Sequence, residues 1–228
     1  MTSIGDQAFY CCYSLASITI PNGVTSIENN TFLSCYSLSS VLISDTMTSI
    51  GTQAFQNCHS LASIIMPDTI TSIGDSAFDH CYALTNFTIP DSVTSIGNNM
   101  FYYCFSLASI TIPDTVTNIG NGAFYFCNSL ASITIPGTVT SIGNSAFYFC
   151  YSLASITIPD TVTSIGERTF NYCCGIKEYH ILPTTPPTGT TIFDNIPRDC
   201  VIYVPSASLE TYKTAENWSD YARYMQGE

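Results

Sequence analysis

The most constraining feature of this sequence is a repeat of 23 residues that runs through most of the chain. Seven regular units fill residues 1–161 without an insertion, and residues 162–184 form an eighth, degenerate unit. Three apolar columns recur at this step: Ile4, Ile27, Ile50, Ile73, Ile96, Ile119, Ile142 and Ile165; Phe9, Phe32, Phe55, Phe78, Phe101, Phe124, Phe147 and Phe170; and Cys12, Cys35, Cys58, Cys81, Cys104, Cys127, Cys150 and Cys173. Because a unit this short cannot bury its own apolar face, the units must stack as coils that share one core.

The order of apolar residues within a unit predicts how each coil is built. In the segment "SLASITIP" of the fifth unit, alternation turns Ser109 and Thr111 outward and predicts a half-buried strand. One such strand per coil gives a parallel sheet and a repeat solenoid. In the turn "PDT" the Asp is expected to bond nearby backbone, and the Gly of "SIG" is expected to relieve a tight bend. The expected inward residues of this unit are Val93, Ile96, Phe101, Cys104, Leu107, Ile110 and Ile112.

The distribution of charge excludes two classes of partner. The formal net charge is −12, and only 10% of the residues are charged. Residues 1–167 contain no Lys or Arg, and the five basic residues follow: Arg168, Lys177, Arg198, Lys213 and Arg223. Nucleic-acid binding and attraction to anionic membranes both need basic residues, so neither is expected. The apolar segments are short, and membrane insertion is not expected either, because a transmembrane helix needs about 20 consecutive apolar residues.

The pattern "CxxLxxIxIPxxVTxIGxxAFxxC" resembles the leucine-rich repeat of the Bacteroides surface protein A-like family, also called the Treponema pallidum type. The resemblance covers residues 1–184, and residues 203–222 resemble the segment that closes many bacterial members. It implies a right-handed horseshoe solenoid, β-rich, with a parallel sheet on its concave face. It further implies an extracellular or cell-surface protein that binds host matrix proteins or other cells.

The eleven cysteines have two interpretations. Many cysteines in a secreted chain usually form disulfides, and an odd number leaves one unpaired. Eight of them, however, occupy the inward column, where a free thiol behaves as a small hydrophobe and where parallel Cβ vectors oppose disulfide geometry. We therefore expect buried, reduced thiols in the column. A bond between Cys174 and Cys200 is left open, and a zinc site is disfavoured because no CxxC pair exists.

Other chemistry is weakly indicated. His59 and His80 lie beside column cysteines in adjacent coils, but alternation turns those cysteines inward and the histidines outward, which opposes a metal cluster. An Asp column could hold calcium, although turn formation explains it more simply, since each position offers one carboxylate. It comprises Asp45, Asp68, Asp91, Asp114 and Asp160. No nucleophile-elbow, HExxH or phosphate-loop motif occurs, so no enzyme and no cofactor are expected.

Two sets of outward residues are the candidate partner-binding positions. The first is aromatic and dense in residues 101–151: Tyr102, Tyr103, Phe105, Tyr125, Phe126, Tyr148, Phe149 and Tyr151. The second follows the outward face of the strands: Ser109, Thr111, Ser132, Thr134, Ser155 and Thr157. Aromatic patches mark interaction sites, but the rings could equally pack on one another, and the hydroxyl residues could serve solubility and strand propensity.

The two ends of the chain differ. Residues 1–184 are predicted to be the solenoid, and residues 185–228 a small α/β capping segment with a final strand, "CVIYVP", and a helix from about Ala207 with Ser206 as its N-cap. Leu209, Tyr212, Trp218 and Tyr221 are expected to cover the last coil. At the other end Met1 occupies the Val position and leaves the first coil open, which favours a chain trimmed from a longer one over pairing with a second copy.

Three functions remain from the sequence. The first is a non-enzymatic, adhesin-like binding module that engages a host extracellular protein or glycan through the aromatic and hydroxyl residues. The second is a structural spacer solenoid with no ligand of its own. The third, an ice-binding surface of repeated Ser-x-Thr, is opposed by Leu42 and Ile65, which interrupt the hydroxyl rows. Oligomeric state is not predicted.

Overall fold

The computed structural model describes residues 4–228, within which short parallel strands stack into a solenoid. The strands are β1 (Ser17–Thr19), β2 (Ser26–Ile27), β3 (Ser40–Leu42), β4 (Ser49–Ile50), β5 (Ser72–Ile73), β6 (Asn86–Thr88), β7 (Ser95–Ile96), β8 (Ser109–Thr111), β9 (Asn118–Ile119), β10 (Ser141–Ile142), β11 (Ser155–Ile158), β12 (Ser164–Ile165), β13 (Glu178–Ile181), β14 (Val201–Val204) and β15 (Met225–Gly227). The helix α1 (Leu209–Thr214) lies between two 3-10 helices, Ser206–Ser208 and Ser219–Tyr224. The open edge predicted at Met1 lies outside the described residues.

The strands belong to two parallel ladders rather than the single one predicted. In the first ladder Ser17 pairs with Ser40, and in the second Ser26 pairs with Ser49, so that each register step is one repeat. The second ladder is formed by the Ser-Ile dipeptide before each repeat glycine, which is too short to show an alternating pattern. The predicted leucine-rich-repeat solenoid of 23-residue coils, with short parallel strands and a small helical element near the C-terminus, is confirmed.

The first ladder is interrupted in coils 3 and 6. Residues 63–65 and 132–134 form no regular strand, so the ladder divides into β1-β3, β6-β8 and β11-β13-β14-β15. The prediction of a strand at this position in every coil is therefore wrong for these two. Ile64 and Ile133 nevertheless stay buried, and the second ladder continues through both coils, which keeps them in register where the first ladder is interrupted.

The predicted inward columns form the core. The phenylalanines stack ring on ring from Phe9 to Phe170, with centroid separations between 5.2 Å and 5.8 Å. Cysteines run beside them, and seven of the eight column cysteines are buried. Cys12 is exposed, so its predicted burial is wrong; it belongs to the first coil, on whose outer side none of the described residues packs. All eleven cysteines are free, Cys174 and Cys200 included.

Each buried column cysteine also makes a directed contact that the sequence pattern does not reveal. The thiol of Cys104 donates to the carbonyl oxygen of Phe78 in the preceding coil at 3.2 Å, and Cys127 does the same to Phe101 at 3.2 Å. Burial raises the pKa of the Cys104 thiol well above its ordinary value. The column is therefore protonated at neutral pH, and the same proton that makes it unreactive serves as a hydrogen-bond donor.

The repeat glycine is required for a reason other than the predicted bend. Among the glycines of residues 4–228, only Gly23 and Gly122 have positive φ, and neither belongs to a Ser-Ile-Gly triplet. A Cβ atom on Gly143 would lie 2.5 Å from the backbone nitrogen of Asn121 in the preceding coil. In coils 3, 4, 6, 7 and 8 glycine occupies this column because the backbone of the preceding coil fills the space of a side chain, whereas coil 2 has Glu28 at this position. The bend interpretation is wrong.

The turn after the strand is also held differently from the prediction. The N–H of Val93 donates to the carbonyl of Pro90 at 2.9 Å and closes the turn. The hydroxyl of Thr115 then donates to the carbonyl of Val93 at 2.8 Å, which ties one coil to the previous one. No Asp side chain of this column makes a hydrogen bond within the described residues, so the role predicted for the aspartate belongs to the threonine.

Stacking continues past residue 184. Phe193 stacks on Phe170 at 5.8 Å, and β14 pairs with β13 one repeat step away, so these residues add a ninth turn. The division at residue 184 stays a prediction.

The strand predicted to be the last, β14, is followed by β15, which pairs with it. The N–H of Ser206 donates to the Glu228 carbonyl at 3.1 Å, so Ser206 extends the pairing of β14 with β15. Ser206 is also the first residue of the 3-10 helix Ser206–Ser208. Its prediction as a helix N-cap is wrong.

The predicted cover over the last coil is confirmed. Trp218 lies edge-on to Phe193 with centroids 5.6 Å apart, and its indole N–H donates to the carbonyl of Pro187 at 2.8 Å. The hydroxyl of Tyr212 donates to the carbonyl of Pro183 at 2.7 Å. Both rings are buried with their polar atoms paired, as buried Trp and Tyr require. The cap therefore closes the hydrophobic end of the phenylalanine column.

Candidate interaction surface

The predicted aromatic residues form three rows on the outside of the turn that carries each core phenylalanine. Row A contains Tyr102, Tyr125 and Tyr148; row B contains Tyr103, Phe126 and Phe149; row C contains Phe105 and Tyr151. Successive members of rows A and B come from successive coils, and the two members of row C come from coils 5 and 7, so each row runs along the solenoid axis. The structure brings the rings of coils 5 to 7 together into one continuous patch.

Within row A and between Tyr103 and Phe126 of row B the rings stack face to face, whereas Phe126 and Phe149 are inclined by 37°. In row A the centroids of Tyr102 and Tyr125 are 4.6 Å apart, and those of Tyr125 and Tyr148 are 4.9 Å apart with planes inclined by 5°. In row B Tyr103 stacks on Phe126 at 4.8 Å. Contacts between the rows are edge-on, as between Tyr148 and Phe149 at 4.4 Å and 88°. Most ring faces are therefore covered by their neighbours, and the ring edges point to solvent.

Row C is longer than the sequence pattern suggests. Tyr13, Tyr36, His59, Tyr82 and Phe105 stack without a break from coil 1 to coil 5, with His59 lying 4.7 Å from Tyr36 and 4.5 Å from Tyr82. Burial lowers the pKa of the His59 imidazole, so it stacks as a neutral ring at pH 7. The sequence predicted only that His59 turns outward; its place one repeat step from Tyr36 and from Tyr82 was the signal of stacking.

Asn128 breaks row C between coils 5 and 7. It lies between Phe105 and Tyr151 in the repeat order, and its side-chain oxygen is buried with no hydrogen-bond partner within the described residues. Tyr151 is 41% exposed, the highest value among the predicted aromatic residues. The interruption leaves a polar position inside the patch.

The backbone at the row B positions has an energetically unfavourable conformation. Tyr103, Phe126, Phe149 and Tyr172 all have φ near +60°, in the left-handed region. An L-residue other than glycine or asparagine in this region costs about 1–2 kcal/mol. Coil 3 has Asn57 at the same position, so the backbone geometry itself does not require an aromatic residue. Ring stacking, worth about 0.5–1.5 kcal/mol per pair, offsets the cost.

A polar group ends row A in coil 4. Asp79 is buried, contacts the imidazole of His80, and accepts a hydrogen bond from the amide of Gln56 at 2.5 Å. Burial raises the pKa of the Asp79 carboxyl, against the lowering effect of His80. The pKa of Tyr102 is raised to about 12, first by burial and then by its neighbour Tyr103, so the phenol stays neutral and can donate a hydrogen bond.

The predicted hydroxyl residues are all exposed, but they do not all lie on regular strands. Ser109 and Thr111 lie in β8, and Ser155 and Thr157 lie in β11. Ser132 and Thr134 fall in coil 6, where the ladder is interrupted. Phe105 precedes Ser109 by four residues, a reach of at most about 14 Å, so the aromatic and hydroxyl positions of one coil are near neighbours.

The remaining candidate groups are dispersed. In the described part of the chain, no cluster of three or more His, Cys, Asp or Glu side chains is arranged to hold a metal ion. The aspartate column is exposed and its side chains make no ion pair within residues 4–228. No helix in that range is long and apolar enough to cross a bilayer.

Comparison with known families identifies the repeat. The profile of the BspA type leucine rich repeat region matches residues 2–128 and 94–212, which together span most of the chain. This chain belongs to the BspA-type leucine-rich repeat family. The resemblance read from the sequence is therefore confirmed. Among curated protein sequences, none matches the chain significantly.

Solved structures give the same architecture. A leucine-rich cell surface protein of Faecalibacterium prausnitzii is 33% identical with a TM-score of 0.69, and the match covers 90% of this chain and 64% of that protein. The leucine-rich repeat protein of Treponema pallidum is 24% identical with a TM-score of 0.55, over 77% and 72% of the two chains. The pneumococcal vaccine antigen PcpA is 16% identical with a TM-score of 0.54, over 94% and 66%. The last two likenesses show the fold alone.

Proposed function

We propose that this chain is a non-enzymatic, adhesin-like binding module of a cell-surface or secreted protein, and that the aromatic rows of coils 5 to 7 contact its partner. Membership of the BspA-type family and similarity to a protein described as a cell surface protein support the location. The patch supports the activity, because contiguous, half-exposed aromatic residues are enriched where proteins recognise one another. The partner class is a host extracellular protein or a glycan.

The orientation of the rings favours protein over glycan. Sugars stack on exposed ring faces, whereas the faces of Tyr125 and Phe126 are each covered by neighbours on both sides. The edges that remain present phenol hydroxyl groups beside apolar carbon, the combination that makes tyrosine frequent in protein interfaces. The proposal therefore places a matrix protein, rather than its carbohydrate, against rows A and B.

The backbone of row B supports a role for the side chains themselves. Tyr103, Phe126 and Phe149 keep aromatic rings at positions where asparagine or glycine would avoid the left-handed cost. Their edges are partly open to solvent, so stacking uses only part of each ring. Large, ordered and pre-stacked side chains lose little conformational entropy on binding, which suits them to an interface.

The stacking also favours a structural alternative. Rings that pack on one another along the axis stiffen the solenoid, and a spacer with no ligand of its own needs nothing more. The structure supports ice binding less than the sequence does. The first ladder is interrupted in coils 3 and 6, which breaks the regular array of hydroxyl groups that would order water.

The test is binding to immobilised extracellular-matrix glycoproteins, each in native and enzymatically deglycosylated form, together with a glycan array. The variant Tyr102→Ser, Tyr125→Ser, Tyr148→Ser removes row A, and Tyr102→Phe, Tyr125→Phe, Tyr148→Phe keeps the stack but removes the hydroxyls. We expect binding to native and deglycosylated protein alike, lost in the serine variant and weakened in the phenylalanine variant.

Three results would contradict this expectation. Binding that disappears on deglycosylation assigns the partner to the glycan. Binding that survives in the serine variant removes row A from the interface. No binding by the unmodified chain favours the spacer.

A further inference from the structure

A second exposed surface lies in coils 2 and 3, away from the aromatic patch. Leu42 is 63% exposed and Ile65 is 85% exposed, the two highest values among the large hydrophobic residues of the described range 4–228. They occupy equivalent outward positions in adjacent coils, about 5 Å apart by the spacing of stacked strands. Met66 beside them is half-buried. They form a small apolar step on a face that is otherwise hydroxyl-rich.

Threonine is the residue that this position holds elsewhere. Its occupants in five other coils are Thr19, Thr88, Thr111, Thr134 and Thr157. The threonine hydroxyl is solvated at this exposed position, whereas most of the Leu42 and Ile65 side-chain surface is apolar and open to water. Strand propensity does not distinguish isoleucine from threonine, so solvation explains the threonines but not the two apolar residues, which need another partner to leave water.

Acidic side chains border the apolar step. One shallow cleft is lined by Ile65, Met66, Pro67, Asp68, Thr69 and Asp45, and a second is lined by Leu42, Asp45 and the turn of coil 1. Asp45 therefore belongs to both clefts, and the carboxylates of Asp45 and Asp68 are exposed. Neither has an ion-pair partner within residues 4–228, and the sequence has no Lys or Arg before Arg168.

We infer that this surface binds a cationic, apolar segment of a partner protein, with an aliphatic or aromatic side chain seated against Leu42 and Ile65 and a flanking Lys or Arg at Asp45 or Asp68. Charge complementarity selects this occupant, because the face offers carboxylates and no cation. A second copy of this chain is disfavoured by the same argument, since each copy carries a net charge of −12. This inference does not depend on the aromatic patch.

The probe is a fluorescently labelled synthetic peptide with a Lys-Leu-Lys-Leu-Lys core between Gly-Ser flanks, measured by fluorescence anisotropy with the full chain. Control peptides replace Lys by Ser or by Glu. The variant Leu42→Thr, Ile65→Thr copies the residue of the other coils and should fold normally, which circular dichroism checks. We expect it to bind the Lys-Leu peptide about tenfold or more weakly, since burial of one aliphatic side chain accounts for at least that factor.

Two charge variants form a matched pair. Asp45→Asn lies in both clefts, whereas Asp160→Asn lies in the same column four coils from Asp68, about 19 Å away by coil spacing and beyond the screening length at physiological salt. We expect Asp45→Asn to weaken binding and to flatten its salt dependence, and Asp160→Asn to change it less than twofold.

The following results would overturn the inference: no binding of the Lys-Leu peptide, equal binding of the Glu peptide, or equal weakening by Asp45→Asn and Asp160→Asn. Unchanged affinity in the threonine variant would also do so, because it would mean that the acidic chain attracts the peptide without the apolar step. Loss of peptide binding in the row A serine variant would place the peptide on the aromatic patch instead.

Discussion

The substitution Gly143→Ala should be among the most destabilising single-methyl changes in this protein. The added Cβ would lie 2.5 Å from the backbone nitrogen of Asn121 and 2.6 Å from the carbonyl carbon of Gly120. Ordinary contact needs about 3.5 Å, so the two coils must separate locally by roughly 1 Å. That movement strains the bond from the Gly143 N–H to the Ile119 carbonyl and the bond from the Asn144 N–H to the Asn121 side chain, both 2.8 Å long.

The magnitude follows from these contacts. Overpacking a well-packed site costs about 1–3 kcal/mol, and each weakened hydrogen bond adds about 1 kcal/mol. With two weakened hydrogen bonds, we expect Gly143→Ala to lower the free energy of unfolding by about 3–5 kcal/mol. Gly137→Ala is the matched control, because a Cβ at Gly137 meets nothing within 4 Å. It should be neutral or stabilising by up to about 1 kcal/mol, since both changes affect the unfolded chain alike.

The assay is equilibrium unfolding in urea, followed by circular dichroism and by the fluorescence of Trp218, the single tryptophan. Comparison of the two variants isolates the contact in the folded state from the entropy of the unfolded chain. A difference below about 0.5 kcal/mol between them would refute the close approach of the coils as the reason for glycine.

Three further predictions concern the cysteines, Asp79 and row B. In the native chain a thiol reagent should modify Cys11, Cys12 and Cys174 rapidly. The other eight cysteines are buried and should react only when the chain unfolds. Rapid reaction of more than three thiols in the native chain would contradict this prediction. Burial raises the pKa of Asp79 in the folded chain, so its carboxyl binds a proton more tightly in the folded state than in the unfolded state. The wild type should therefore lose stability relative to Asp79→Asn as pH rises from about 4 through the raised pKa of Asp79. Thermal melts of both proteins at several pH values measure this difference. A wild-type stability that changes with pH in parallel with that of Asp79→Asn would contradict the raised pKa. Phe126→Asn, which copies Asn57 of coil 3, should change the free energy of unfolding by less than about 1 kcal/mol, because relief of the left-handed cost offsets lost stacking; a loss above about 2 kcal/mol by urea unfolding would show that stacking dominates.

The sequence predicts those features that depend on one coil repeated. Alternation within a coil correctly turned Cys104, Leu107 and Phe101 inward, and all three are buried. The apolar residues of the C-terminal segment correctly predicted its cover, with Trp218 and Tyr212 buried over the last coil. Both predictions need only local periodicity and the hydrophobic effect.

The features that were missed depend on contacts between coils. The thiol of Cys104 reaches Phe78, the repeat glycines contact the previous backbone, and His59 stacks between tyrosines one coil away on each side. Such contacts join residues 22 to 26 positions apart, and the residue pattern within one coil does not show which atoms meet. The candidate site shows the same division: the sequence located the aromatic residues, but only the structure shows that their faces are covered and their edges exposed.

The most direct test of the proposed function compares two tyrosines that each stack between two rings. Tyr125 stacks between rings at 4.6 Å and 4.9 Å inside the patch, and Tyr36 stacks between rings at 5.0 Å and 4.7 Å outside it. Tyr125 is half-buried and also contacts Tyr103, Phe126 and Phe149, whereas Tyr36 is 41% exposed, so urea unfolding first establishes that both Tyr125→Ser and Tyr36→Ser are folded under the binding conditions. For the matrix protein that binds the chain best, surface plasmon resonance should give about tenfold weaker binding for Tyr125→Ser and a change below about twofold for Tyr36→Ser. Equal affinities of the two variants would contradict the assignment of the partner-binding surface to coils 5 to 7.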